Sequence, residues 1–368
     1  GVYQTMTGDY GGANAMASLQ PITKYCTYAT TPEEAVFGTQ MAVKHATLPR
    51  KGPAAVIMKT PIIRQEVTEP FNPRLYDTAG YLSYTPPQPD SDAVEKLAQF
   101  LDDADNPVII AGNGVAASNS GPALQKIAEK AGIAVATSYN GKGVIAETSD
   151  AAVGMLGTWG SPTANRAVAG ADLVIMLGAS MGGDYTRFRD PEMIRPGEQK
   201  LIQVDIDPRN AGWVYPVDLA ITGDVKDVIT MLEERGLSTR ERGNRLELIK
   251  KLKDDNGYNQ LPDLPAADGT LHQVDLIRGL QSFVGADDLL TLDAGSNRLW
   301  ATFGLRMPYP HQLIVPGGTG VMGWGGPAAA AAKMVHPHKR ITSLSGDGGF
   351  MMTMQVITTC VQQNLDTV

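Results

Sequence analysis

Short apolar runs that stop abruptly at glycine or aspartate constrain this chain more than any other feature. Examples are Pro107-Val-Ile-Ile-Ala-Gly112, Ala171-Asp-Leu-Val-Ile-Met-Leu-Gly178, Lys200-Leu-Ile-Gln-Val-Asp-Ile-Asp207 and Asp218-Leu-Ala-Ile-Thr-Gly-Asp224. A strand that is apolar without alternation is buried on both faces, which is the condition of a parallel sheet covered by helices. Amphipathic stretches fall between such runs, at Ala93–Ala104 and Gly121–Ala131, with apolar residues at helical spacing. The alternation predicts an α/β chain of parallel sheets flanked by helices. Many of the 40 glycines stand just after apolar runs, where such folds turn from strand to helix around a ligand.

A chain of 368 residues exceeds what one core usually fills, and its texture changes along its length. Residues 1–62 hold a helical pattern at Pro32–Ala46 and a buried-strand run from Pro53, the end of an α/β domain. Residues 63–90, rich in Pro, Thr and Tyr, predict a linker. Residues 91–234 predict a central Rossmann-like domain, and residues 235–268, charged and then rich in proline, a second linker. Residues 269–368 open on a helix at Leu271–Val284. Strands at Leu289–Asp293, Gln312–Val315 and Arg340–Ser345 follow, with helices at Pro327–Val335 and Met351–Gln363.

The net charge is −8 and the basic residues are scattered, so no stripe exists to neutralise a nucleic-acid backbone. No apolar stretch reaches the ~18 residues of a membrane span, and no basic segment followed by an apolar run opens the chain. Cys26 and Cys360 lie far apart and read as free thiols of a reducing compartment. A cytoplasmic location is the expectation. With no initiator methionine, and a strand pattern just beginning at Val368, the chain is expected to be a piece of a longer protein.

Chemistry concentrates near the end. Arg340-Ile-Thr-Ser-Leu-Ser-Gly-Asp-Gly-Gly-Phe350 reads as a strand, a glycine-rich turn and then a helix. Asp347 offers a hard oxygen of the kind Mg2+ prefers, and the glycines let backbone N–H groups approach phosphate oxygens at a helix N-terminus. A plain glycine-rich turn would read the same way. Upstream stand Leu292-Asp-Ala-Gly-Ser-Asn-Arg-Leu-Trp300 and Pro316-Gly-Gly-Thr-Gly-Val-Met-Gly-Trp-Gly-Gly-Pro327. In the central part, Gly112-Asn-Gly-Val-Ala-Ala117 follows a strand in a dinucleotide-like pattern. No acid ends the next strand, which runs into Ser138-Tyr-Asn-Gly141, and this speaks against a nicotinamide dehydrogenase. His336-Pro-His338 lacks a nearby third ligand and reads as a solvated corner. Asp254-Asp255 reads as a solvated pair in the linker.

In order, these segments resemble the thiamine-diphosphate enzymes of the acetolactate-synthase type. Asp-x-Gly, then Gly-x-Gly-x-Met-Gly-x-Gly-x-Pro-Ala-Ala, then Gly-Asp-Gly-x-Phe-Met-Met is similar to that group's diphosphate-binding domain. The resemblance implies thiamine diphosphate and Mg2+ as cofactors. It makes Asp347 a metal ligand, sets Gly348 and Gly349 against the diphosphate, and brings Ser296 and Asn297 to phosphate. Met322 would wedge between the two cofactor rings, and the Gly320 carbonyl would accept a hydrogen bond from the amino group. These two are the candidate catalytic residues.

The central stretch, including Asn140-Gly-Lys-Gly143, Gly154-Met-Leu-Gly157 and Val204-Asp-Ile-Asp-Pro208, resembles the domain that holds FAD in flavin-binding members. Gly112, Gly114, Asp205 and Asp224 are the candidate contacts. Ser180-Met-Gly-Gly-Asp184 replaces the synthases' Arg-Phe-Asp-Asp-Arg, and Trp159 stands for a histidine. FAD, ADP or no nucleotide therefore stay open. Ile22-Thr-Lys-Tyr25 resembles the end of the pyrimidine-binding domain, with Tyr10-Gly11 where the synthases carry a pocket-shaping Phe-Gln pair.

The implied activity is decarboxylation of a 2-keto acid with carboligation, through a C2 carbanion and a thiazolium electron sink. A simple 2-keto acid decarboxylase, a carbon–carbon hydrolase and a nucleotide- or FAD-binding protein without carboligation are the other readings. The resemblance also implies a homodimer or homotetramer, since the activating glutamate comes from a neighbouring subunit's pyrimidine domain. That glutamate and the Asn that completes the metal site fall outside this chain, so the piece alone is expected to be inactive.

Overall fold

The computed structural model describes residues 14–58, 60–66, 80 and 84–368. Tyr10-Gly11 and much of the 63–90 stretch lie outside the described residues. The chain divides into two compact units, one ending at Pro86 and one beginning at Pro87.

In the first unit, β1 (Tyr25–Ala29) and β2 (Ala54–Met58) pair in parallel and are joined through the helix Pro32–Thr47. Thr31 caps that helix by accepting from the Glu34 amide at 3.2 Å. The Glu34 carboxylate returns to the Thr30 amide and hydroxyl, at 2.7 Å each. Gly38 lets the helix lie close on the strands, since a Cβ there would come within 2.9 Å of Thr27 Cγ2.

The second unit holds two parallel sheets. The larger contains β3 (Pro107–Ala111), β4 (Ala134–Thr137), β5 (Ala152–Met155), β6 (Leu173–Leu177), β7 (Lys200–Asp205) and β8 (Leu219–Thr222), in the spatial order β5-β4-β3-β6-β7-β8. The order reverses between β3 and β6, the switch point of a doubly wound sheet. Alternate residues feed opposite cores. Ile109 and Ala111 pack with residues of the helices Ser91–Asp103, Gly121–Ala131 and Val225–Arg235; Val108 and Ile110 pack with those of Pro162–Ala169.

Residues 235–268, expected as a linker, instead contain the helix Arg242–Asp255. Its dense charge hides a stripe of Leu246, Ile249 and Leu252 that packs on the second of those cores. Arg245 is buried, donating to the Leu101 and Ala131 carbonyls at 3.2 Å each and also to the Ala104 carbonyl. Those carbonyls lie at or near the C-terminal ends of Ser91–Asp103 and Gly121–Ala131, groups a helix end leaves open.

The smaller sheet, ordered β10-β9-β11, comprises β9 (Asp288–Leu292), β10 (Leu313–Ile314) and β11 (Arg340–Leu344). Leu290 and Leu292 pack with Ile277 and Ala301 on one face, while Leu289 packs with Ala329 and Ala332 on the other. At the start of the sheet, Arg340 donates to both oxygens of Asp288, each at 2.6 Å. The helix expected at Met351–Gln363 is two short ones, Asp347–Thr353 and Val356–Gln362. Among the described residues, no helix is long and apolar enough to cross a membrane.

Candidate active site

The three glycine-bearing segments meet beyond the C-terminal ends of β9 and β11. Asp293, just after β9, is fully buried, and its amide donates to the Leu344 carbonyl at 2.9 Å. One carboxylate oxygen accepts from the amides of Ala294 at 2.7 Å and Trp324 at 3.2 Å, the other from Gly323 at 3.1 Å. A single acid thus fixes the loop that follows Pro316. Gly318, Gly320 and Gly323 in that loop have φ of +60°, +60° and +79°, a region that favours glycine. The Gly346–Gly349 turn seats on the same acid, because a Cβ on Gly349 would stand 2.6 Å from Asp293 Oδ2.

Asp347 opens the helix that follows β11. It is exposed, and its Oδ1 accepts from the Gly348 amide at 2.8 Å. The Cε of Met322 lies 3.3 Å from the position of a Cβ on Gly348. Met322 is 49% exposed, so it is no ordinary core methionine. Asn297 donates to the Leu344 carbonyl at 2.9 Å, and its Oδ1 lies 3.8 Å from where a Cβ on Gly346 would be. Ser296 is exposed at the first position of the helix Ser296–Gly304. Gly320, Met322, Asp347, Gly348, Gly349, Ser296 and Asn297 therefore belong to one end of one small sheet.

Neighbouring residues that the sequence reading passed over complete this corner. The Arg298 guanidinium lies over the Tyr139 ring at 4.7 Å, and Arg298 Nη1 lies 2.8 Å from where a Cβ on Gly320 would be. Burial pushes the Tyr139 hydroxyl well above its ordinary pKa, against the opposing pull of Arg298. Just beyond, Lys142 donates to both Glu147 oxygens at 2.6 and 2.7 Å and to the Leu305 carbonyl at 2.9 Å. Both side chains are shut off from solvent. Glu147 also accepts from the Met307 amide at 3.0 Å. Burial lowers the Lys142 pKa, with the Glu147 charge opposing. The pair locks the loop after β4 to the segment that follows Ser296–Gly304. The only hint in the sequence was Asn140-Gly-Lys-Gly143, noted for its likeness and not for its lysine.

The central-domain candidates are placed differently. Gly112 and Gly114 reach the switch point, but their amides donate to the carbonyls of Leu177 and Gly178 at 2.9 Å each. A Cβ on Gly112 would stand 2.2 Å from the Gly178 oxygen. These glycines serve a close backbone crossing filled by the protein itself. Asp205 is buried and accepts from the Asp207 amide at 2.9 Å and the Asn210 amide group at 3.2 Å. Asp224 caps Val225–Arg235 through the Lys226 amide at 2.8 Å. Each of these groups has a structural partner within the protein.

The end of the small sheet does fit a diphosphate with its cation. Glycines stand where a Cβ would fill the cradle, and a single carboxylate is available. Among the described residues no cluster of three or more His, Cys, Asp or Glu gathers to cage a metal. Mg2+ commonly takes one or two carboxylates and completes its shell with phosphate and water.

Comparison with known proteins covers the same segments. Residues 94–232 match the family described as thiamine pyrophosphate enzyme, central domain, and residues 293–368 match the C-terminal TPP binding domain of the same enzymes. A probable acetolactate synthase large subunit of Methanocaldococcus jannaschii is 30% identical over 96% of this chain and 60% of its own length. The acetolactate synthase large subunit of Corynebacterium glutamicum is 29% identical over 96% of this chain and 56% of its own. The mitochondrial acetolactate synthase catalytic subunit of Saccharomyces cerevisiae is 26% identical, over 97% and 54% respectively. The chain thus spans only a little over half the length of these relatives. With its central domain and its glycine-rich C-terminal site both matched, the chain belongs to the thiamine pyrophosphate enzyme family.

Proposed function

We propose that the full-length protein is a thiamine-diphosphate- and Mg2+-dependent enzyme that decarboxylates a 2-keto acid and joins the remainder to a second carbonyl compound, as an acetolactate synthase does. The observation that carries this reading is the convergence on Asp293 of segments far apart in sequence, with Met322 set against Gly348. The similarity to proteins named acetolactate synthase supports the reaction class.

When bound, thiamine diphosphate supplies a nucleophilic carbon and an electron sink for decarboxylation. The chain's own residues position and shelter that chemistry. Asp347 provides a carboxylate for the cation, while Gly348 and Gly349 leave room for backbone to approach phosphate. Ser296 and Asn297 add hydrogen-bonding groups on the same side. Met322 presents a half-exposed, flexible apolar side chain that supports a bent cofactor. The Gly320 carbonyl, in a left-handed turn, serves as a fixed acceptor for an amino group. Lys142 and Glu147 hold the neighbouring loop in register, which favours a dry site. No step here needs a flavin.

A homo-oligomer is part of the same proposal. Met351, Met352, Met354, Ile357 and Val361 are exposed apolar side chains on and between the last two helices, of the kind that ordinarily finds a partner. Incubation of the full-length protein with pyruvate, thiamine diphosphate and Mg2+ tests the reaction. Acetolactate and carbon dioxide together support carboligation. Acetaldehyde with carbon dioxide would make it a simple decarboxylase, and no keto-acid turnover would contradict the reading.

A further inference from the structure

Arg298 carries a charge that no acid balances among the described residues. It is the third residue of Ser296–Gly304, in the turn where a helix end favours anions over cations. Its Nε is buried without a hydrogen-bond partner, and it forms no ion pair among the described residues. The residue is half-buried, with its Nε shut off from solvent, and stacking on Tyr139 leaves that donor unmatched. Two further polar atoms in the same corner are buried and unmatched, the Tyr139 hydroxyl and Asn140 Oδ1. Asn140 Nδ2 lies 3.9 Å from where a Cβ on Gly317 would be, so this cluster borders the loop that carries Gly320.

Direction separates Arg298 from the phosphate side. Successive helical residues point about 100° apart. Asn297 reaches the end of β11, while Arg298 reaches Gly320. Met322, two residues on from Gly320, is the part of that loop set against the glycine-rich turn, its Cε 3.3 Å from where a Cβ on Gly348 would be. Arg298 therefore reaches the loop at which the cofactor's rings, where a substrate carbonyl would react, and not its diphosphate, are proposed to lie.

We propose that Arg298, supported by Tyr139 and Asn140, binds the carboxylate of the 2-keto acid substrate. The inference rests on the thiamine-dependent reading above. A guanidinium offers paired donors that match a carboxylate's two oxygens. The Tyr139 hydroxyl, kept protonated by burial, adds a neutral donor. Substrate binding then supplies the missing negative charge, and the corner selects acids over neutral aldehydes.

The test is calorimetric titration of the full-length protein with oxamate, an unreactive isostere of pyruvate, for wild type, Arg298→Lys and Arg298→Gln. Circular dichroism confirms that each variant is folded. With thiamine diphosphate and Mg2+ present, oxamate affinity should fall at least about tenfold in Arg298→Gln, with Arg298→Lys between it and wild type. The KM for pyruvate should rise in the same order, while thiamine diphosphate affinity stays within about threefold. Equal oxamate affinity in wild type and Arg298→Gln overturns the proposal, as does a wild type that binds no oxamate. A loss of thiamine diphosphate affinity with oxamate binding intact also overturns it, and assigns the arginine to phosphate. The titration is repeated without cofactor. If wild type takes oxamate through Arg298 yet never binds thiamine diphosphate, the carboxylate corner stands and the enzyme reading falls.

Discussion

Asp293 and Gly349 touch so closely that no side chain fits between them: a Cβ on Gly349 would stand 2.6 Å from the carboxylate oxygen Oδ2. That oxygen also holds the Gly323 amide, so the glycine-rich turn and the Met322 loop share one anchor. Gly349→Ala should displace the carboxylate and loosen both segments. Thiamine diphosphate affinity should fall by at least about tenfold, the equivalent of one lost charge-assisted hydrogen bond. Titration of cofactor into the variant checks this, and unchanged affinity would remove Asp293 from the site's framework.

The Lys142–Glu147 pair is buried on both sides and hydrogen-bonded at several further points. Breaking it from one side strands a charge. Glu147→Leu or Lys142→Met should each destabilise the protein by about 3–5 kcal/mol, whereas the two together should recover much of the loss. Urea midpoints of the three variants read this directly. Losses that simply add in the double variant would mean that the pair is not coupled.

The Asp288–Arg340 pair sets an acid limit. The Arg340 hydrogen bonds hold the Asp288 carboxyl below its ordinary value of 3.8 despite partial desolvation. A lowered folded-state pKa contributes stability above the unfolded value and loses it as pH falls through the folded one. Asp288→Asn should therefore be less stable than wild type at pH 7, by about 1–3 kcal/mol, with the gap closing below about pH 4. Denaturant midpoints across that range test it; a gap that persists at pH 2 would assign the loss to packing.

The sequence was most legible where burial leaves a periodic mark. The strands at Pro107–Ala111, Leu173–Leu177 and Lys200–Asp205 are apolar because helices cover both faces, so their composition announced them. The helix Arg242–Asp255 was missed because its buried stripe is narrow and Arg245 enters the interior to meet helix carbonyls, which no hydropathy pattern reveals. The strand Ala152–Met155 is too short and too rich in small residues to stand out. In the site, glycines and Asp347 were readable because backbone approach and a hard ligand demand those residue types. Asp293 and Arg298 were quoted within motifs without roles, since their significance lies in contacts with residues far away along the chain, which spacing alone cannot show.

Gly112 shows how one pattern can have more than one cause. The Gly-x-Gly-x-x-Ala signature made Gly112 and Gly114 candidate nucleotide contacts, and these glycines also meet the backbone of Gly178. Gly112→Ala should destabilise the protein by about 1–3 kcal/mol through overpacking, with no nucleotide added. Thermal melts without and with FAD check this. A variant as stable as wild type without FAD, but impaired with it, would assign Gly112 to the nucleotide.

The most direct measurement is calorimetric titration of the full-length protein with thiamine diphosphate, with and without Mg2+, beside Asp347→Ala. Binding that requires Mg2+ and is lost in the variant is the expected result. A folded wild type that takes up no thiamine diphosphate, or a variant that binds it as tightly as wild type, would contradict the proposed site.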